Sequence, residues 1–209
     1  MKLLKSFLTN KHGMAFKNSF RISLGFGSSA TLGLCGGMCC EVQRRFTGLN
    51  YRPNLFCRQT IPAFLSVDFI YLFVRQLQSL FSNILVGLLK FQYGLKLEPI
   101  NRRVARDQQI ALIETALVQG RLVRLCLIKQ CSPLANPFNN HQVLVYAIEK
   151  RPEGVVILYL YDPNYPLRTD ILLYTGHPQS NLWYQSSGEH WAFLFVVVPL
   201  VGETAKFFV

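Results

Sequence analysis

Acidic residues are scarce in this chain: 11 Asp and Glu stand against 22 Lys and Arg, a formal net charge of +11. So one-sided a balance points away from cationic partners and toward anionic ones, such as nucleic acid or a lipid surface. The basic residues are dispersed, however: Lys2, Lys5, Lys11, Lys17 and Arg21, then Arg44 and Arg45, then Arg102, Arg103 and Arg106. They make no basic helix and no aromatic-plus-basic RNA signature, so the charge reads as solvated surface and no nucleic acid is expected. Long uninterrupted apolar runs are missing too. Residues 64–89 are very apolar but broken by Asp68, Arg75, Gln76, Gln78, Ser79, Ser82 and Asn83. A bilayer helix wants about 20 predominantly apolar residues. The stretch suits an amphipathic helix on a membrane surface better than a span, which makes peripheral membrane contact the alternative to a plain soluble surface. Residues 191–201 are apolar but short and contain Pro199, so they read as a buried strand. The opening MKLLKSFLTNKHG has too short an apolar stretch for a cleavable signal. The expected location is therefore the cytoplasm, with reduced thiols.

The six cysteines are Cys35, Cys39, Cys40, Cys57, Cys126 and Cys131. Their even number does not make a disulfide framework in a reduced chain of this size. A zinc set drawn from Cys39, Cys40, Cys57 and His141 lacks the second close pair that tight sites prefer, so no metal and no other cofactor is expected. The stretch GFGSSATLG is no phosphate loop, because the Lys-Ser/Thr ending is absent.

What is present is enough for one domain over residues 1–209, half of them apolar or aromatic. Residues 1–34 read as loop or weak structure, with 1–14 as a flexible basic arm. A helix is expected over 36–46, stopped by Gly48, and one or two amphipathic helices over 63–92, stopped by Gly94. Asp107 is the expected N-cap of a helix that Gly120 closes. The register then changes to strands: RLVRLCLIK, QVLVYAIEK, a turn at RPEG, VVILYLYD, a short strand over 170–175, and WAFLFVVVPL. Helices followed by strands indicate an α+β fold, the helical N-terminal half packed on an antiparallel sheet from the C-terminal half.

Three motifs carry chemistry. In Gly33-Leu34-Cys35-Gly36-Gly37-Met38, a cysteine enters a helix. The positive end of the helix dipole favours a thiolate there, and the free amides can hold an oxyanion. Gly36 and Gly37 are read as leaving room for a substrate carbonyl. In Asn140-His141-Gln142-Val143, a histidine sits where a polar loop enters an apolar strand, fit to take and return a thiol proton. In Tyr161-Asp162-Pro163-Asn164, an aspartate ends the next strand. An antiparallel hairpin sets the start of one strand beside the end of the next, so Asp162 is expected to face His141 and fix its tautomer. Each motif also has an ordinary structural use: a buried thiol, a loop-capping histidine, an Asp-Pro turn. Cys39 reads as a core thiol or a resolving partner for an oxidised Cys35. His12, His177 and His190 read as surface or loop residues, and Trp183, Tyr184 and Trp191 as core.

These motifs together resemble an uncharacterised bacterial family related to papain-like and bacteriocin-processing peptidases. The resemblance rests on Cys35-Gly36-Gly37-Met38, Gly120-Arg121-Leu122-Val123, His141-Gln142-Val143-Leu144-Val145-Tyr146 and Tyr161-Asp162-Pro163-Asn164-Tyr165-Pro166, and spans residues 15–175. It implies a papain-like cysteine proteinase fold with Cys35, His141 and Asp162 at the catalytic positions. It also implies a peptide or amide substrate cleaved through a thioester, or an acyltransferase using the same three residues. The alternative from another class is a non-catalytic basic module that binds a membrane surface or an acidic partner. One departure stands out: papain-like enzymes place a glutamine shortly before the cysteine to complete the oxyanion hole, and SSATLGL has none. Asn18 is the candidate substitute, with Gln142 and the amides at Gly36 and Gly37 as further oxyanion or substrate contacts.

Overall fold

Local sequence accounts for most of the elements. The computed structural model describes residues 2–3, 6–25, 28–79, 99–130, 139–175 and 182–197. The expected stop at Gly94, the far half of the 63–92 stretch, Cys131, His177 and Pro199 lie outside these residues. The first half contains strand β1 (Lys2–Leu3), helix α1 (Thr9–His12), strands β2 (Phe20–Gly25) and β3 (Ser28–Leu32), and helices α2 (Cys35–Phe46), α3 (Asn54–Cys57), α4 (Val67–Ser79) and α5 (Pro99–Val118). The second half is the expected run of strands: β4 (Val123–Ile128), β5 (His141–Lys150), β6 (Val156–Tyr161), β7 (Leu172–Thr175), β8 (Trp183–Gln185), β9 (His190–Trp191) and β10 (Phe193–Val196).

The strands form one antiparallel sheet in the order β10-β4-β5-β6-β7-β8-β9, with β1 added beside β5. Strands β9 and β10 lie at opposite ends of that order, yet only Ala192 separates them in the chain. The sheet must therefore curl until its two ends nearly meet. The result is a mixed α+β fold, with N-terminal helices packed against a curled C-terminal antiparallel sheet. Strands β5 and β6 and the face of β4 that carries Leu125 and Leu127 join Met38, Cys39 and Val42 of α2 and Leu72 of α4 in the main core. Cys126 and Ile128, on the other face of β4, form a smaller cluster with Phe193 and Phe195.

Three expectations change. The stretch 1–34 is more ordered than its polarity suggests: β1 pairs with Ala147 and Ile148, Phe7 and Met14 are buried, and β2 pairs with β3. A few buried apolar side chains tie down the described part of what reads as a flexible basic arm. Helix α5 starts at Pro99, well before the expected cap at Asp107, because proline suits the first turn of a helix; its C-terminal stop at Gly120, with φ of 74°, is as expected. The last apolar run is not one strand but two short ones, β9 and β10, serving opposite ends of the sheet.

Helices α2 and α4 meet at Gly37. A Cβ there would lie 2.3 Å from the Leu72 carbonyl oxygen and 3.2 Å from the Gln76 amide, both backbone. A Cβ at Gly36 would instead meet the end of the Gln142 side chain, 2.5 Å from Nε2. Gly37→Ala is therefore expected to cost about 1–3 kcal/mol through overpacking, against about 1 kcal/mol of gained helix propensity. Gly36→Ala should cost less, since a side chain can swing aside and a backbone cannot. Urea denaturation of both variants checks this; equal stabilities would refute the close helix contact.

Candidate functional site

The β5–β6 hairpin brings His141 and Asp162 together. Its register pairs Leu144 with Tyr161. One step further sets Asp162 opposite Val143, and His141, two residues along, points to the same face. The side chains meet: His141 Nε2 lies 2.7 Å from Asp162 Oδ1, and both residues are buried.

Helix α2 delivers Cys35 to this spot. Its first turn lies over the start of β5, where the Cys39 thiol donates to the Gln142 carbonyl at 3.5 Å. The loop before it is held by Asn18, whose Oδ1 accepts from the Leu34 amide at 2.5 Å. The Asn18 carboxamide also donates to Asn164 Oδ1 at 3.1 Å, and its backbone amide donates to the Pro163 carbonyl at 3.0 Å. Asn18 thus ties the cysteine loop to the corner that carries Asp162. Cys35, 8 % exposed, lies close enough to the His141 ring to act on it by charge and hydrogen bonding. With Nε2 engaged by Asp162, Nδ1 is the nitrogen open to a partner on the far side of the ring. The three residues singled out in the sequence, spaced over 35, 141 and 162, therefore come together.

The glycines and Gln142 have structural partners. The room that Gly36 makes is filled by the Gln142 carboxamide, and the room at Gly37 by α4. Gln142 Oε1 accepts from Ser79 Oγ at 2.8 Å, and the Gly37 amide donates to Gln76 Oε1 at 3.0 Å. Both glycines therefore seat protein against the start of α2, where the sequence suggests space for a substrate carbonyl.

Two further residues belong to the site and are not apparent from the motifs. Trp191 Nε1–H donates to Gln185 Oε1 at 3.0 Å, and Gln185 Nε2 donates to Asp162 Oδ2 at 2.6 Å. The Asn164 amide donates to Asp162 Oδ1 at 2.8 Å. An indole N–H can only donate. It fixes Gln185 with its oxygen toward Trp191 and its NH₂ toward Asp162, so Asp162 accepts at both oxygens. Those donors favour the ionised carboxylate, and His141 Nε2 is then the donor to it. Trp191 also stacks on His141, with ring centroids 6.1 Å apart and planes at 22°. Trp191 is thus core, as expected, and wall of the site as well. The one clue in the sequence was aromatic content; the pairing of β8 with β9 is what brings Gln185 and Trp191 to Asp162.

Gln185→Leu should leave the Asp162 oxygen and the Trp191 N–H unpaired, at about 1–3 kcal/mol for each buried group. Trp191→Phe strands only the Gln185 oxygen and should cost less hydrogen-bond energy. Chemical denaturation of the Leu variant decides: wild-type stability would dissolve this relay.

The electrostatics follow from the same contacts. Burial opposes charge on His141, but Asp162, by charge and hydrogen bond, and Cys35 outweigh it and hold the imidazole well above its usual 6.5. Burial likewise raises Asp162, yet His141, the Asn164 amide and Gln185 bring its carboxyl below the usual 3.8. The two shifts describe one bond and count once. The carboxylate side of this stabilisation is complete above pH 3.8 and is lost as pH falls through the lowered folded value. The imidazole side is complete below pH 6.5 and is lost as pH rises through the raised folded value. The difference in Tm between the protein and His141→Gln should therefore be largest between those limits and shrink on both sides. A difference independent of pH would contradict the pairing.

Cys39 and Cys126 are buried, and desolvation raises the pKa of both thiols. Cys57 is exposed. Among the described residues, no three His, Cys, Asp or Glu side chains form a metal-binding group. His190 is exposed, whereas His12 lies half-buried against Phe7, with ring centroids 5.4 Å apart. Compared with protein-family models, curated proteins and solved structures, the chain matches none.

Proposed function

We propose that this protein is a cysteine-dependent hydrolase of peptide or amide bonds with a papain-like layout. Cys35 is the nucleophile, His141 the proton carrier and Asp162 the group that orients the imidazole. The observation that carries the reading is the His141 ring, bound to Asp162 through Nε2 and with Cys35 close enough to act on its charge. A thiol, an imidazole and a buried carboxylate in this chain of contacts form a nucleophile, base and orienter.

In this reading the Cys35 sulfur attacks the substrate carbonyl carbon, with its proton on His141 Nδ1. The oxyanion of the tetrahedral intermediate meets the Cys35 backbone amide at the start of α2. As the C–N bond breaks, His141 gives its proton to the departing amine, and a thioester remains. Water then attacks the thioester carbonyl while His141 takes the water proton. The C–S bond breaks, the acid leaves, and the proton returns to sulfur. Asn18 holds the cysteine loop against the Asp162 corner throughout, and Gln185 and Trp191 keep the carboxylate ionised and the ring oriented.

The test is electrophile labelling at neutral pH, read by peptide mapping so that each cysteine is scored separately. Cys35 should react faster than the exposed Cys57, although it is the more buried of the two. Cys35→Ser should lose that labelling and all amide hydrolysis while keeping its fold. A Cys35 slower than Cys57 would rule out the reading.

A further inference from the structure

A surface helix usually turns a polar face to solvent. Helix α4 exposes an apolar one over its first two turns. Its inner face, with Phe69 and Leu72, is buried against α2 and the core. Its outer face carries Val67, Ile70, Phe73 and Val74, all exposed, and the turn before it adds Phe64 and Leu65. Val67 is 67 % exposed and Leu65 64 %. Six large apolar side chains within eleven residues form a patch of the kind that marks an interaction surface. Leu65 strengthens the case: its φ of 60° lies in the left-handed region, where glycine would be cheaper. The backbone accepts that strain at the point where a leucine side chain is held out to solvent.

Charge identifies the occupant. Residues 52–79 carry Arg52, Arg58 and Arg75 against a single acid, Asp68. Asp68 is buried, with Arg52 Nε 2.5 Å from one oxygen and Arg58 Nη1 2.6 Å from the other. Arg52 and Arg58 share the single charge of Asp68, so with Arg75 the stretch keeps a net charge of +2 (three Arg less one Asp), and the rim of the patch is positive. Ile61, just before the patch, shares an open cavity of about 600 Å³ with Lys17 and Arg168. A second copy of the chain would bring the same net charge of +11 to the contact and be repelled. We infer that the outer face of α4 and the turn before it dock on an anionic lipid bilayer, the apolar side chains entering the headgroup boundary and the arginines meeting lipid phosphates. This combination of apolar face and basic rim suits interfacial binding. The surface is independent of the thiol chemistry and would place that chemistry beside membrane-proximal substrates.

The test is sedimentation of the full chain with phosphatidylglycerol/phosphatidylcholine vesicles, with pure phosphatidylcholine vesicles as the uncharged control. Binding should require the anionic lipid, weaken as salt rises, and persist in Cys35→Ser. The triple variant Val67→Gln/Ile70→Gln/Val74→Gln keeps the net charge and should bind at least tenfold more weakly. Its circular dichroism and Cys35 labelling should match the parent, because the three side chains point outward. If that variant were unstable, Leu65→Gly, which relieves the backbone and removes one anchor, should also bind more weakly. Failure to sediment, or equal binding by the Gln variant, would overturn the inference. So would a concentration-dependent dimer, on gel filtration, that the Gln variant abolishes, since the face would then belong to a second copy.

Discussion

Replacing His141 with alanine is expected to lower amide hydrolysis by about 10⁶-fold, the loss typical of a nucleophile and base that act as one unit. In the proposed mechanism the imidazole has two jobs that no neighbour can assume. Nδ1 would carry the thiol proton, and Nε2, 2.7 Å from Asp162 Oδ1, would link that proton to the carboxylate. Because both steps pass through the same ring, the double variant Cys35→Ser/His141→Ala should be no slower than either single change. Labelling separates loss of chemistry from loss of fold: Cys35 should become much less reactive in His141→Ala, while the exposed Cys57 reacts as before. Undiminished Cys35 labelling in that variant would leave the histidine without a chemical role.

Asp162→Ala is the second large effect, and it concerns stability as much as rate. Three donors converge on this buried carboxylate: His141 Nε2, the Asn164 amide and Gln185 Nε2. Removing the acceptor strands all three, at about 3–5 kcal/mol for a broken buried pair, which for a chain of this size lowers Tm by roughly 10 °C. Asp162→Asn is the sharper probe, since it preserves shape. With Oδ1 kept toward His141, its NH₂ would face the Gln185 NH₂, donor against donor. Gln185 cannot turn over to relieve this, because its oxygen is held by the donor-only indole of Trp191. The asparagine must either bear that clash or flip and present its NH₂ to His141, which forces the proton from Nε2 to Nδ1. In the proposed mechanism a histidine in the wrong tautomer cannot accept the thiol proton, a fault worth about 10⁴ in rate where a carboxylate orients a catalytic histidine. The combination Asp162→Asn/Trp191→Phe frees Gln185 to flip and should recover part of the lost stability. Additive losses in that double variant would show that Trp191 does not fix the orientation of Gln185.

Much of this candidate site is legible in the sequence. The hairpin of QVLVYAIEK and VVILYLYD reads from its apolar runs and the RPEG turn, where Glu153 and Gly154 take positive φ. Once those strands pair, His141 and Asp162 must share an end. The helix start at Cys35 was equally plain from the glycines and the apolar spacing after them. Other features could not be read. Strand β2 alternates, Phe20-Arg21-Ile22-Ser23-Leu24, but the Gly- and Ser-rich run that follows it reads as loop and hides its partner β3, whose period-2 signal is weak. Helix α5 begins ahead of Asp107 because a proline opens it, and a good capping residue was simply not used as one. Gly36 and Gly37 looked like space for a ligand, whereas the room they make is taken by Gln142 and α4. Glycine reports only that something comes close, not what.

The amino-acid sequence alone determined the α+β order, the hairpin and the meeting of His141 with Asp162, because periodicity and turn chemistry act between near neighbours. Tertiary structure alone decided that Cys35 reaches the same imidazole, that Gln185 and Trp191 stand behind the carboxylate, and that one apolar face of α4 is left outside. Those facts depend on how the sheet curls and how closely two helices approach. Packing of that kind is set by the sum of many distant contacts, and no local pattern records it.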